Sequence, residues 1–334
     1  MPVNIEVLSD FAAVERDAAG ALDRSNRASL FDRLEYYRLL ADHCPPPGTP
    51  VVLAGRNGGR RAWLFLAIQG SKASAYSAWY SLCYGVAGEP DDDVMTAMAA
   101  TLRDGGIAKV ELAPLEEAEA LRQAFLKAGW IVSVTEKTGN WRIVTKDMGF
   151  DRYWATRPGQ LRNTAKRRAK AFELDIEVHR QFSEAAWADY ERVYQASWKP
   201  EEGSFPFLKA LATQESAAGA LRLGIAKKDG IPVAAQLWLV ENKKATIHKL
   251  AYAEAEKAFS PGTLLSVAMF RHVLDEDQVE IIDYGTGDDR YKADWMEERR
   301  PLWRLTAYNP RTFKGLLGAV RSAASALVRR VRSR

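Results

Sequence analysis

The segment AFSPGTLLSVAMFRHVLDED, residues 258–277, predicts a helix with an unusual beginning. Ser260 is typical of an N-cap, and Pro261 is typical of the first helical turn. Apolar residues recur at helical spacing and form a stripe of Leu264, Val267, Ala268, Phe270 and Val273. The first acid after Ser260 is Asp275, so no carboxylate complements the positive end of the helix dipole. The segment indicates either an anion site, suited to a phosphate, or an ordinary capped helix that begins in water.

Two stretches of the chain predict the same order of elements. In the first half, the pattern predicts a hairpin at 51–69, a strand at 75–86, a helix at 91–106 and a strand at 109–115. In the second half, it predicts a hairpin at 223–242, a strand at 245–252, the opening helix and a strand at 279–285. We expect a duplicated mixed α/β unit, with chance similarity of short elements as the alternative.

The two halves differ where an anion would bind. The first half has Asp91, Asp92 and Asp93 at the position of Ser260-Pro261-Gly262, and these acids would repel a phosphate. We therefore expect a degenerate scaffold domain at 1–150, a ligand-binding domain at 151–309 and a separate tail at 310–334.

Composition and charge exclude several classes of protein. The 334 residues are 47% hydrophobic, and no apolar run is long enough to span a bilayer. Cys44, Cys83 and the four histidines lack metal-ligand spacing, so we expect no metal. Of the net charge of +4, residues 310–334 carry +7 and residues 1–309 carry −3, which argues against nucleic acid as a partner. The beginning of the chain lacks a signal-peptide pattern, so we expect a cytoplasmic protein.

The run 248–295 resembles a known superfamily. A hairpin, a strand, a phosphate-cradling turn onto a helix and a following strand look like the acyl-CoA-binding core of the GNAT acyltransferases. Three motifs resemble the FemAB-like tandem-GNAT branch, known as CelD-type cellulose-biosynthesis acetyltransferases: Ser260-Pro261-Gly262, Asp283-Tyr284-Gly285 and Tyr291-Lys292. The resemblance implies two tandem GNAT-like domains with a C-terminal amphipathic helix. It also implies a donor thioester, acyl-CoA with an acetyl or longer chain; some FemAB-like relatives use aminoacyl-tRNA instead.

The resemblance places the donor at the beginning of the opening helix. Its pyrophosphate would lie on the backbone N–H groups of Gly262, Thr263 and Leu264. The hydroxyl groups of Ser260 and Thr263 would add hydrogen bonds.

The resemblance also implies attack of an amine on the thioester carbonyl, for which a base and an acid are needed. We assign His248 as general base, with a core histidine as the alternative. Asp283 is expected to orient His248 or to bind the amine, and its alternative is a cap for the following turn. Tyr291 and Tyr284 are candidate proton donors to the thiolate, and both would otherwise be packing residues.

Three further side chains are candidate substrate-binding residues. Lys292 is expected to pair with a phosphate, or on the surface with neighbouring acids. Gln236 lies on the same strand face as Trp238 and either lines the cleft or packs. Trp198 belongs to a loop that would cover an amine-bearing acceptor. The alternative is that the acids of that loop, Glu201 and Glu202, are simply solvated.

Two charged segments lie outside these motifs. Residues 157–172 hold six basic residues and no acid, and they predict a helix that joins the two halves. Its charges are expected to be solvated, and the alternative is that they reach the donor's nucleotide phosphates or an anionic acceptor. Residues 313–334 predict a basic amphipathic helix that lies on an anionic membrane surface, with docking on the body or a disordered end as alternatives. Its apolar face would contain Phe313, Leu316, Leu317, Val320, Ala324, Leu327, Val328 and Val331.

These expectations together favour an acyl-CoA-dependent N-acyltransferase, peripheral on the inner membrane face, that acts on a small-molecule or lipid amine. A sphingoid base, the acceptor of a bacterial ceramide synthase, fits this combination. The alternatives are an acetyltransferase acting on exopolysaccharide precursors, a non-catalytic tandem-GNAT partner in a polysaccharide or lipid synthesis complex, and an aminoacyl transferase, which the charge of −3 on the body disfavours.

Overall fold

Two short turns organise the two halves of the chain into hairpins. In the second, Asp229 and Gly230 have φ angles of 50° and 77°, which match the twist of the strands on either side. In the first, Gly58 has a φ of 59° and joins two long antiparallel strands. The computed structural model describes the backbone of residues 3–332 and the side chains of residues 3–324. It divides into two compact units, Met1–Thr138 with Pro301–Arg334, and Gly139–Arg300.

The strands of the first unit follow the order β1-β2-β3-β4-β6-β13, with β5 beside β3. Their bounds are β1 Asn4–Leu8, β2 Thr49–Asn57, β3 Arg60–Gln69, β4 Lys72–Ala75, β5 Ala87–Gly88, β6 Lys109–Leu115 and β13 Glu298–Tyr308. The β4–β6 pair is parallel, and the other pairs are antiparallel. The helices of this unit are α1 Phe11–Ala18, α2 Leu34–His43, α3 Asp92–Asp104, α4 Glu119–Lys127 and α10 Phe313–Arg332.

The strands of the second unit follow the order β8-β9-β10-β11-β12-β7. Their bounds are β7 Ile131–Val144, β8 Asp175–His179, β9 Leu221–Lys228, β10 Ile231–Glu241, β11 Lys244–Tyr252 and β12 Ile281–Thr286. Among the described strands of this second unit, β11 and β12 form the one parallel pair. The helices are α5 Phe150–Thr156, α6 Gly159–Ala171, α7 Glu184–Gln195, α8 Phe205–Ala217 and α9 Pro261–Arg271.

Each unit therefore has the same arrangement, in which a hairpin, a third antiparallel strand and a helix lead to a parallel strand. The predicted mixed α/β fold with an internal duplication is confirmed. The compact units differ from the predicted domains of 1–150 and 151–309. The reason is that β7, from the first half of the sequence, pairs within the second unit, and β13, from the second half, pairs within the first unit. The Asn140–Val144 part of β7 pairs with β12, and the Trp303–Tyr308 part of β13 pairs with β6.

The predicted strand at 75–86 is wrong beyond its first residue. After β4 ends at Ala75, the chain forms irregular structure up to β5. Tyr76, Tyr80 and Tyr84 are buried there, and the phenol of Tyr84 donates to the carbonyl of Phe65. The buried tyrosine side chains of this segment are thus spaced four residues apart, and they do not alternate between two faces as the side chains of a strand do.

Helix α9 is shorter than the predicted segment and packs mainly through Leu265, Met269 and Phe270. A π-helical turn at His272–Glu276 follows it. Val267 and Ala268, which the helical spacing of apolar residues includes, are half-buried. Leu265 and Met269, which that spacing does not include, are fully buried because they face the sheet.

The C-terminal helix α10 contacts the first unit through its small residues. A Cβ on Gly315 would collide with the carbonyl oxygen of Asn309, and one on Gly318 would meet the ring of Tyr308. The larger apolar side chains are exposed: Phe313 by 82%, Leu316 by 48%, Leu317 by 38% and Val320 by 60%. The predicted apolar positions Leu327, Val328 and Val331 lie outside the residues whose side chains are described. Within the described chain, no helix has the length and apolar content needed to cross a membrane.

Candidate active site

The candidate site is built around the point where two parallel strands part. The register of β11 and β12 pairs Lys244 with Ile281 and ends at the pair of Thr246 and Asp283, so the rest of β11 has no described backbone partner on β12. No described strand pairs with this edge of β11 beyond Thr246, and an extended ligand can bind such an edge in place of a strand.

His248 lies at a β-bulge in this part of β11. Leu237 of β10 is opposite Lys249, whereas the next residue, Trp238, is opposite Ile247, so His248 is the extra residue. The side chain of His248 is buried. A bulge re-aims the side chains beside it and is common next to active sites. The role of His248 as base stays a prediction.

The beginning of α9 differs in detail from the prediction. Ser260 has a left-handed backbone with φ of 56°, and its hydroxyl does not cap the helix. Its carbonyl oxygen instead accepts hydrogen bonds from the amides of Thr263 and Leu264, at 3.0 and 3.2 Å. The expectation that these two amides are open to a phosphate is therefore wrong for this conformation. The first turn does contain no acid, and the Gly262 amide donates to no described group.

Gln236 is buried and fixes the first turn of α9 to β10. Its Nε2 donates to the Gly262 carbonyl at 3.2 Å and to Ser266 Oγ at 2.8 Å, and its Oε1 accepts from Trp238 Nε1 at 2.9 Å. All of these partners are protein groups. The structure thus favours the packing alternative for Gln236 over substrate binding.

Two aromatic residues, Tyr252 and Trp198, lie together near the first turn of α9. The Tyr252 ring, at the end of β11, lies where a Cβ on Gly262 would be 2.9 Å from its Cδ1 atom. The same ring is 4.2 Å, between centroids, from the ring of Trp198, whose side chain is 47% exposed. Tyr252 was not predicted as a site residue, although its position at the end of β11, the strand that precedes α9, could have identified it.

Tyr284 and Tyr291 form an edge-to-face pair with centroids 5.8 Å apart. Burial raises the pKa of Tyr284 well above its ordinary value and raises that of Tyr291 to about 12. Tyr291 is nevertheless 44% exposed and borders a cavity of about 610 Å³. Trp141, Asp288, Arg290, Ala293, Asp294 and Arg299 also line this cavity. Tyr291 therefore presents a protonated phenol to an open cleft.

Lys292 is buried, in contrast to the expected surface ion pair or phosphate contact. Its ammonium donates to the carbonyl oxygens of Thr286 at 2.8 Å, of Gly287 at 3.2 Å and of Tyr284 at 3.3 Å. Burial lowers its pKa, although nearby acids, with Asp289 foremost, oppose this. Lys292 holds the turn after β12 in place, which positions Tyr291.

Asp283 has the turn-capping role that was weighed as its alternative. Its Oδ1 accepts from the Gly285 amide at 2.9 Å and from Asn140 Nδ2 at 2.6 Å. Its other oxygen lies 2.7 Å from the Lys244 ammonium. Burial opposes ionisation of Asp283, but these partners together hold its pKa below the ordinary value.

The loop after α7 contains a buried charged cluster that the sequence did not predict. Lys249 Nζ lies 3.1 and 3.0 Å from the two carboxylate oxygens of Glu202, which was expected to be solvated. Burial, helped by the charge of Lys249, lowers the pKa of Lys199 to about 8. The Lys199 ammonium is 5.9 and 5.8 Å from the ring centroids of Tyr194 and Trp198. Lys249 lies among apolar residues in the sequence of β11, and from this pattern its burial could have been predicted.

The architecture is that of the GNAT class of α/β folds. Residues 157–293 match the family model described as an acetyltransferase (GNAT) domain, and this match lies within the second unit. Residues 157–293 are thus similar to a GNAT domain, and the first unit has the same order of strands.

Solved structures share this fold over nearly the whole chain. One is the C-terminal domain (DUF2156) of a protein provisionally named lysylphosphatidylglycerol synthetase, from Agrobacterium fabrum; it is 15% identical, with 96% of this chain and 97% of that chain covered and a TM-score of 0.58. The structure of L-PGS from Bacillus licheniformis is 13% identical, with coverage of 91% and 94% and a TM-score of 0.57. FemX is 9% identical, with coverage of 90% and 96% and a TM-score of 0.56. At these identities the likeness concerns the fold. The comparison with curated proteins gives no match.

Proposed function

We propose that the protein is an acyl-CoA-dependent N-acyltransferase that acts on an amine acceptor at a membrane surface, such as the amine of a sphingoid base. The observation that carries this proposal is the parting of β11 and β12 after Thr246 and Asp283, beside the acid-free beginning of α9. A thioester with an extended amide-containing arm fits such a gap, because unpaired strand groups can bind its amides and the helix end can bind its phosphates.

The residues at the α9 turn fit a diphosphate in part. The Gly262 amide, the hydroxyl groups of Ser260 and Thr263, and the helix dipole would hold it. The Thr263 and Leu264 amides already donate to Ser260, so they would contribute only after a change in that turn. The first unit has Asp91 as the N-cap at the equivalent helix and acids in the first turn, and this charge disfavours a second phosphate site.

The proposed reaction joins an acceptor nitrogen to the acyl carbonyl carbon and breaks the carbon–sulfur bond. In this proposal, His248 takes the proton that the amine nitrogen loses. The departing thiolate takes a proton from the phenol of Tyr291. With a pKa of about 12, Tyr291 is protonated at neutral pH and is available for this step. The cavity beside Tyr291 would admit the acceptor.

The exposed apolar side chains of α10 support the membrane part of the proposal. Phe313, Leu316 and Val320 are exposed on a helix that also contains Lys314 and Arg321. An amphipathic basic helix of this kind binds where an anionic surface meets an apolar interior. A lipid acceptor would then be presented at the same surface.

A second candidate is an aminoacyl transferase, favoured by the whole-chain likeness in fold to the two lysylphosphatidylglycerol synthetase structures and to FemX. This candidate differs from the first in its donor. The two can be separated by supplying one donor class at a time.

Release of free thiol from acetyl-CoA and palmitoyl-CoA, with and without sphinganine, tests the proposed function. We expect amine-dependent release, lost in Tyr291→Phe if the phenol is the acid, together with an N-acylated product detected by mass spectrometry. Activity with acetyl-CoA and a sugar acceptor would indicate the exopolysaccharide alternative. Binding of neither CoA ester, with activity from aminoacyl-tRNA, would favour the second candidate. No turnover of any donor would favour the non-catalytic alternative.

A further inference from the structure

Helix α6 is poorly buried for a helix of a globular unit. Of its thirteen residues, Ala165 alone is buried, and Leu161, Thr164 and Arg168 are half-buried. A helix that is polar on nearly all sides gains little stability from packing. We therefore expect α6 to be stabilised by a binding partner or by another interaction besides packing.

The charges of α6 have no acidic partners. Arg162, Lys166, Arg167 and Lys170 form no ion pair with any residue in the described part of the chain. Arg271 on the neighbouring helix contrasts with them, because its guanidinium lies 3.3 Å from Asp151 and 3.7 Å from Asp275. A cluster of uncompensated positive charge is complementary to an anionic partner.

An apolar groove lies between α6 and α9. It has a volume of about 810 Å³, within the usual range of roughly 300–1,000 Å³ for small-molecule sites. The half-buried apolar residues of its lining are Trp154, Leu174, Ile176, Val267 and Ala268. Its charged lining residues are Arg162, Lys166 and Arg271, with one acid, Glu173.

The groove explains why α9 is apolar on two sides. Leu265 and Met269 are fully buried against the core, whereas Val267 and Ala268 line the groove. A helix covered on one side only would normally be polar on the other. The second apolar side of α9 is thus suited to a hydrocarbon ligand.

We propose that this groove binds one acyl chain of an anionic phospholipid, with the lipid phosphate between Arg162 and Lys166. The basic helix would then lie at the level of the headgroups, and the chain would extend along Val267 and Ala268. Uncompensated basic charge directly beside apolar surface favours an anionic lipid over a neutral one. The groove shares Leu264 with the proposed donor site, through its side chain and not its amide, and the lipid contact does not depend on the reaction proposed above.

The first test compares two charge variants of the full-length protein. Arg162→Gln/Lys166→Gln removes the two groove-lining charges, and Arg167→Gln/Lys170→Gln removes two charges from the same helix outside the groove. Affinity is measured by sedimentation with phosphatidylcholine vesicles that contain phosphatidylglycerol. We expect about a 30-fold loss for the groove pair, from roughly fivefold per basic residue, and a clearly smaller loss for the control. Equal losses would overturn the proposal, because they would indicate attraction by net charge alone.

The second test fills the groove without changing charge. Ala169 is exposed and lines the groove, whereas Ala171 is exposed and does not. Ala169→Trp should reduce labelling of peptides 157–176 and 261–271 by a phospholipid with a photoreactive acyl chain, and Ala171→Trp should not. Unchanged labelling in Ala169→Trp, or labelling confined to the C-terminal helix, would contradict the proposal.

Acyl-CoA affinity, measured in parallel without vesicles, should be equal in all four variants. A wild type that binds no acyl-CoA would count against the proposed function and not against the groove.

Discussion

Lys249 and Glu202 form an ion pair in which 8% of the lysine side chain and 1% of the glutamate side chain are exposed. The pair fastens the loop that carries Trp198 to the strand that carries His248. Breaking a buried pair leaves one charge without compensation. We predict that Glu202→Gln lowers the free energy of unfolding by about 3–5 kcal/mol, measured by urea denaturation.

Two further variants distinguish the charge effect from simple loss of a side chain. Glu202→Leu/Lys249→Met removes both charges and should recover most of the lost stability. Lys257→Met breaks an exposed pair with Glu254 and should change the unfolding free energy by less than about 0.5 kcal/mol. A Glu202→Gln variant as stable as the wild type would show that the pair does not hold the loop.

The second prediction concerns the pH dependence of stability through Lys199. Burial lowers its folded-state pKa to about 8, below the unfolded value near 10.4. Between these two pH values the unfolded chain binds more protons, so this group makes stability rise with pH. Lys199→Met should remove that rise, whereas Lys209→Met, at a lysine whose side chain is 42% exposed and pairs with Glu184, should keep it. Thermal unfolding between pH 7 and 10.5 measures the difference, and parallel curves for wild type and Lys199→Met would refute the assignment.

The third prediction concerns Gln236 as the link between β10 and the α9 turn. Gln236→Leu leaves the Trp238 N–H and the Gly262 carbonyl without their partner, which should cost about 2–4 kcal/mol of stability. Gln195→Leu, at an exposed position, should change stability by less than about 0.5 kcal/mol. Because the turn is loosened, we also expect acyl-CoA to bind more weakly to Gln236→Leu under conditions where the variant is folded. A loss below about 1 kcal/mol would show that these hydrogen bonds are not needed.

The fourth prediction concerns the exposed apolar side chains of α10. Replacing Phe313, Leu316 and Val320 by serine should lower affinity for anionic vesicles on the order of 100-fold, because each side chain loses its favourable transfer into the membrane. The fold should be unaffected, since all three side chains are exposed. Val7→Ser/Ile231→Ser removes exposed apolar groups elsewhere and serves as the control. Equal affinity of the triple variant and the control would remove α10 from the membrane contact.

The sequence predicted the hairpins and the helix between parallel strands well, because turn residues and hydrophobic period are local signals. It did not predict that β7 and β13 each complete the opposite unit, since strand pairing is decided by contacts far apart in sequence. The irregular segment after Ala75 had a strand-like composition, but its tyrosines are buried in a loop.

The acid-free first turn of α9 begins at Pro261, as the Ser260-Pro261-Gly262 motif predicted, whereas the parting of β11 and β12 was not predicted. Lys292 and Gln236, in contrast, are buried and bonded to protein groups, and burial of single polar residues cannot be read from spacing. Tyr252 and the Lys249–Glu202 pair were missed because their importance depends on tertiary contacts.

The most direct measurement of the central claim is the affinity of Gly262 variants for palmitoyl-CoA, determined by isothermal titration. Gly262→Ala and Gly262→Asp add the same Cβ beside Tyr252, and they differ in a negative charge at the beginning of α9. If the donor diphosphate lies there, Gly262→Asp should bind at least about 100-fold more weakly than Gly262→Ala, through charge repulsion. Equal affinity of the two variants would contradict the account, because the diphosphate would then lie elsewhere.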